Sequence, residues 1–228
     1  MEPSHLQHLV AQQQNYASGQ GDGGVGDNYS GVPSSAQSES ELSREPGKDY
    51  SVRASFTTAN RLRRVLWHIV YVLLFRPTPR PMHAWRSAIL RIFGAKIGKH
   101  VHVYPKVKIW APWNLVIEDY VGVGSETNLY SMATIHLKER CIISQGAHLC
   151  AGTHDYEDPE FPLYALPITV GVKAWVCTEA FVGPGVTIGD GAVIGARAVA
   201  TKDMPEWTVC AGNPCKPLKP RVIREPLS

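Results

Sequence analysis

The sequence predicts an all-β chain wound as a triangular parallel β-helix of about five coils, and two observations carry that reading. Aliphatic Val170, Val176, Val182, Ile188, Ile194 and Ala200 recur at a strict spacing of six. Gly171, Gly183, Gly189 and Gly195 each follow one of them, and Ala174, Ala180, Ala192 and Ala198 lie four places on. A helix repeats at about 3.6 residues and a simple strand at about two, so neither produces this period. A chain written aliphatic-Gly-x-x-small-x turns a corner about every six residues, and three corners close a coil of about eighteen.

Within each hexad the aliphatic residue points into the prism and strand alternation sends its neighbour outward. The position four places on must be small, because three walls meet inside a narrow triangle. Glycine after the aliphatic residue relieves the backbone at the corner. Upstream the frame recurs with slips: Ile97, Val103 and Ile109 make one coil, and Ile117, Val123 and Leu129 the next. Ile135, then Ile143 and Leu149 after two extra residues, make a third. The block Val170–Met204 adds two more after an excursion over Asp155–Thr169. Five coils at about 4.8 Å each stand roughly 24 Å tall.

The predicted organisation is a disordered tail over 1–55, a helical segment over 56–95, the β-helix over 96–204 with its loop at 155–169, and a C-terminal tail over 205–228. The first segment is Gln-, Gly- and Ser-rich, without the apolar content to order itself. It has no apolar stretch of the secretory kind. Two readings fit the apolar run Arg61–Phe75, which ends at Pro77, Pro79 and Pro81. One is a helix packed on the prism or on a neighbouring subunit. The other is an interfacial helix making peripheral membrane contact, with Arg61, Arg63 and Arg64 at the headgroups and Trp67 and Tyr71 nearby. Val65–Phe75 is too short to span a bilayer, which takes about 20 residues. A second short helix is expected over His83–Phe93, ending at Gly94. A net charge of +3 is too small to argue for nucleic acid. Five cysteines without a Cys-x-x-Cys pair fit a reduced, cytoplasmic chain, with or without contact at the inner membrane face.

His154, in the string GTHDYEDPEFPL, falls at the last position of its hexad just before the chain leaves the prism. It is expected to point outward beside a loop rich in acidic and aromatic side chains. An exposed imidazole suits a general base, since its ordinary pKa lies near the operating pH. A plain surface histidine is the competing reading from position alone.

The strings FRPTPRPMHAWR, FGAKIG, IWAPWNL, ISQGAHLCAGTHDY, AFVGPGVTIGDGAVIGA and TKDMPEWTVCAGNPCKP resemble the hexapeptide-repeat acyltransferases. The group most similar is that of the colanic acid biosynthesis acetyltransferases, related to maltose, galactoside and nodulation-factor O-acetyltransferases. The resemblance runs from about Phe75 to Arg224 and implies a left-handed coil and a homotrimer with sites between subunits. It implies acetyl-CoA as acyl donor, no metal, and a sugar or polysaccharide-precursor acceptor used in surface polysaccharide assembly. By the same matching His154 deprotonates the acceptor hydroxyl, which attacks the thioester directly. Thr178, Ala196, Thr201 and Lys202 line the coenzyme groove; Ala196 presents backbone to the pantetheine and Lys202 approaches the nucleotide phosphates. Lys216 and Lys219, after the Gly212-Asn213-Pro214 turn, add cationic groups. Trp175 walls the acceptor pocket or the pantetheine channel, or packs at a subunit seam. A backbone carbonyl, Asp155 and Glu157 are the candidates to orient the imidazole.

Other chemistries fit less well. His148 and His154, one hexad apart, lie on adjacent walls, and His136 is in a different phase, so no metal site is expected within one subunit. The pair His100 and His102 lacks a third ligand. A Cys150 or Cys177 acyl-enzyme has no base adjacent in sequence. Transfer to an amino-sugar nitrogen, and a non-catalytic scaffold subunit, are the alternative functions.

Overall fold

The computed structural model describes residues 57–156 and 159–223. The tail expected over 1–55 lies outside the described residues. Those described belong to one compact unit, Asp49–Ser228.

The described chain forms a three-walled parallel β-helix. Wall A stacks Lys96–Ile97, Leu115–Ile117, Ile135–Leu137, Ile168–Val170 and Thr187–Ile188, and Met204 bridges to its last strand. Wall B stacks His102–Val103, Gly122–Val123, Ile142–Ile143, Trp175–Val176, Val193–Ile194 and Thr208–Ala211. Wall C stacks Lys108–Ile109, Asn128–Tyr130, His148–Cys150, Phe181–Val182 and Val199–Ala200. Five coils are complete and a sixth is begun by Met204 and Thr208–Ala211. Lys216–Pro220 then turns back antiparallel on Thr208–Ala211 and covers the lower edge of wall B.

Register repeats at each level. Ile97, Ile117, Leu137, Val170 and Ile188 face inward one above another. Leu137, rather than the Ile135 expected from spacing, is therefore the third residue of that stack; Ile135 pairs with Leu115 one step earlier. Both ends of these longer strands point inward, and so each tolerates its two extra residues. The small positions Ala174, Ala180, Ala192 and Ala198 are buried as expected.

The glycines act differently from expectation. The left-handed corner positions are Lys173, Gly185, Gly191 and Arg197, two places after those glycines, and Glu179, two places after Cys177. Gly171 instead permits close approach of the coil below: a Cβ there would lie 2.5 Å from the Asp190 amide nitrogen. Asp190 Oδ1 accepts from Val172 N at 2.8 Å, tying the two coils at this corner.

The helical segment closes the upper end. Helix α1 (Thr58–Val70) starts at Thr57, whose hydroxyl accepts from Asn60 N, and continues as a π-turn over Tyr71–Phe75. Helix α2 (His83–Ile92) stops before Gly94, whose φ of +92° lets the chain turn into the first coil. Trp67, Phe75, Ile89 and Leu90 are buried over that coil, and Trp67 Nε1 donates to Ile109 O at 2.8 Å. This places Trp67 against the prism end rather than at a headgroup. Arg63 and Arg64 lie over the Trp113 and Trp110 rings. No helix among the described residues is long and apolar enough to cross a membrane.

Arg86 fastens the two helices to the first coil. It is fully buried, and its guanidinium donates to Val103 O at 2.6 Å, Thr78 Oγ1 and Pro79 O at 2.8 Å, and Arg80 O at 2.5 Å. Its fork satisfies the carbonyls of a proline-bound loop that has no secondary structure of its own. Arg86→Leu leaves those carbonyls buried without donors. We expect a loss of about 3 kcal/mol in urea unfolding, with Arg86→Lys recovering only part of it.

Candidate active site

The chain leaves the prism at the corner between walls C and A, after its third coil. It does so as a hairpin in which Gly152–His154 pairs antiparallel with Leu163–Ala165, matching His154 to Leu163. Gly152 is required there, because a Cβ would lie 3.0 Å from the Tyr130 ring and closer still to the Met132 sulfur. Leu166 returns over Gly185, at the same corner of the fourth coil, and Leu166 N donates to Ala151 O. The excursion is thus clamped above and below, and wall A resumes at Ile168.

His154 is exposed on this hairpin. Its Nδ1 lies 3.0 Å from Phe161 O, and its ring stacks on the Phe161 ring at 4.4 Å with an interplanar angle of 11°. A carbonyl only accepts, so Nδ1 carries the hydrogen and Nε2 keeps the lone pair. Phe161 has φ +47°, a left-handed conformation unfavourable for an aromatic residue. Of the three expected orienters the carbonyl is the one observed, and it belongs to Phe161. Glu157 lies outside the described residues. The role of Phe161 was missed from sequence because a backbone carbonyl leaves no mark in residue type.

Wall C approaches the hairpin with a polar pair the sequence reading did not assign. Asn128 Nδ2 lies 3.1 Å from His148 Nε2, and the His148 ring meets the edge of Phe181 at 5.4 Å. Burial first, and then Lys108, lower the His148 pKa and so disfavour the charged ring.

The remaining candidates fall on separate faces. Thr178 and Ala196 stack at the corner between walls B and C, joined by Arg197 N to Thr178 O at 3.0 Å. Lys216 pairs with Ala211 just below them, while Lys219 pairs with Val209 on wall B. Thr201 and Lys202 are exposed at the corner between walls C and A, two coils below the hairpin. Trp175 projects from wall B, half-exposed, and its Nε1 donates to Ser144 Oγ at 2.8 Å. Wall B is opposite the corner that carries His154, so one chain does not bring Trp175 to the imidazole. The larger cavity, about 670 Å³, is lined by residues such as Lys96, Glu118 and Glu139, and holds none of the candidates.

Three other histidines are engaged with side chains on the coils and α2. His136 Nε2 contacts Glu118 Oε1 at 2.7 Å, His100 stacks on Tyr120, and His102 stacks on His83. No group of three or more metal-ligating side chains converges among the described residues. All five cysteines are free. Burial raises the Cys177 pKa, which keeps it a thiol rather than a nucleophilic thiolate.

No protein-family model matches the chain. It is 43% identical over 176 residues to the Escherichia coli K12 protein named "Putative colanic acid biosynthesis acetyltransferase WcaF", covering 77% of this chain and 97% of that one. The chain belongs to the WcaF-like hexapeptide-repeat acetyltransferases. A maltose O-acetyltransferase from Clostridium difficile 630 superposes with a TM-score of 0.67 at 25% identity, covering 74% of this chain and 90% of that one. A Vibrio cholerae hexapeptide-repeat acetyltransferase complexed with acetyl-coenzyme A shares the fold at a TM-score of 0.66 and 17% identity, covering 74% and 92%. Membership in this family makes the chain an acyltransferase.

Proposed function

We propose that the protein transfers acetyl from acetyl-CoA to a sugar hydroxyl during assembly of a surface or extracellular polysaccharide, with His154 as general base. The observation that carries this is the His154–Phe161 pairing. It fixes the ring, puts the hydrogen on Nδ1 and leaves Nε2 basic on a hairpin clamped to the prism.

Acetyl-CoA supplies an already activated thioester carbonyl, so the protein needs no covalent nucleophile of its own. Nε2 of His154 takes the proton of the acceptor hydroxyl as that oxygen attacks. The same nitrogen then returns the proton to the departing thiolate sulfur, leaving the imidazole as it began. The Phe161 carbonyl stabilises the charged ring between these two events.

Thr178 and Ala196 fit a pantetheine chain, because the small exposed Ala196 leaves its backbone open at the corner. Lys202, exposed at the next corner, answers the nucleotide phosphates, and Lys216 and Lys219 add positive charge on the last strand. Thr178, Ala196, Lys216, Lys219 and Trp175 lie on faces that a single prism separates from His154, while Lys202 shares the His154 corner two coils below. A homotrimer reconciles them: the His154 corner of one prism meets the groove of its neighbour.

His154→Asn is expected to lower acetyl transfer by roughly 10²–10⁴ while calorimetric binding of acetyl-CoA stays unchanged. Full activity in this variant removes His154 from the chemistry. Lys202→Ala is expected to raise the KM for acetyl-CoA about three- to tenfold with kcat unchanged, the pattern of uniform binding. With acetyl-pantetheine as donor the difference disappears; a persisting defect places Lys202 outside the phosphate contact.

A further inference from the structure

Helix α1 and its π-turn are apolar on two faces, and the prism covers one of them. Trp67, Tyr71 and Phe75 pack inward, with Trp67 against Phe93 at 5.1 Å. The opposite stripe, Leu62, Val65, Leu66, Ile69, Val72 and Leu73, recurs at three- and four-residue steps and stays 43–70% exposed. Ile92 of α2 is 81% exposed on the same cap. An apolar stripe this long and this exposed marks a contact surface, and the prism does not cover it.

The charge of the segment says what that partner is. Between Asp49 and Glu118 there is no acidic residue, while twelve Lys and Arg fall in this stretch. All twenty Asp and Glu lie elsewhere, with the other eleven Lys and Arg. Arg61, Arg76 and Arg80 are exposed at the ends of the apolar stripe. Apolar side chains flanked by cations, with no anion among them, match the headgroup boundary of an anionic bilayer. A second copy of the same cap would bring like charges together.

We propose that the helical end of the β-helix docks on anionic membrane surface, with the Leu62–Leu73 stripe entering the headgroup boundary and the arginines meeting lipid phosphates. The stripe lies flat, since the apolar run is too short to span.

Flotation of the full-length protein with vesicles tests this. Wild type is expected to float with phosphatidylcholine–phosphatidylglycerol vesicles, much less with phosphatidylcholine alone, and to be released as sodium chloride rises. The double variant Leu66→Glu/Leu73→Glu is expected to lower partitioning at least about tenfold, since both side chains are exposed and leave the core intact. Its thermal melting and its mass in light scattering stay at wild-type values. Absence of flotation overturns the proposal. Equal partitioning of the double variant overturns it by reducing the binding to charge alone. A changed mass in the variant overturns it by assigning the stripe to a contact between copies. Flotation reads lipid binding and not acetyl transfer, so none of these outcomes bears on the role of His154.

Discussion

Successive coils share their backbone hydrogen bonds, as His148 N with Ala180 O at 2.9 Å and Phe181 N with Ala198 O at 2.8 Å show. A coil satisfies few of its own N–H and C=O groups, chiefly at its corners, as Ala174 N with Gly171 O at 3.2 Å, so each level depends on the next for the rest. The aliphatic stacks follow from that pairing, because residues held in register by the backbone bring Val103, Val123, Ile143, Val176 and Ile194 into line. The ends are the exposed liability of such a stack. Trp67, Phe75 and Leu90 close the upper one and Lys216–Pro220 the edge of the lower.

The same constraint decides where chemistry fits. A wall lengthens only where its neighbours lengthen in register with it, so a long addition is confined to a corner. The short additions before Ile117 and Leu137 stay within wall A. The long one, between Ala151 and Ile168, satisfies its own backbone as a hairpin and carries His154 outward. The imidazole then needs a partner that a solvent-exposed hairpin supplies only from itself, and the Phe161 carbonyl serves. The prism also separates the candidates, since its three corners point in three directions. A site that combined His154 with Trp175 or Ala196 would accordingly require two prisms.

Much of this was legible in the sequence, for physical reasons. The hexad period survives because almost every inward position is buried, and a polar residue is accepted only where it finds a partner, as Thr127 does in Ser144 O. The outward placement of His154 was legible from its position near the end of the repeat, though the chain leaves the prism three residues before it. What escaped was set by backbone and packing. Leu137 displaced Ile135 because both are aliphatic and spacing alone does not choose between them. The glycines were read as corner residues, yet the left-handed positions are Lys173, Glu179 and Arg197, and Gly171 answers to the coil beneath it. Phe161 was invisible as an orienter because its contribution is a carbonyl. Arg86 gave no signal among the other arginines, since its role depends on loop carbonyls brought together by three prolines.

Sharing of one site between two copies is tested most directly by mixing two inactive variants. His154→Asn lacks the base and keeps the groove, while Ala196→Trp fills the groove and keeps the base. Each is assayed alone, and the two are then co-expressed in equal amounts under separate tags. If the base of one chain serves the groove of its neighbour, about one quarter of the sites in randomly mixed trimers are intact, and activity returns to about that fraction of wild type. If base and groove belong to the same chain, every site lacks one of them. Activity that stays at the level of the separate variants contradicts the shared site.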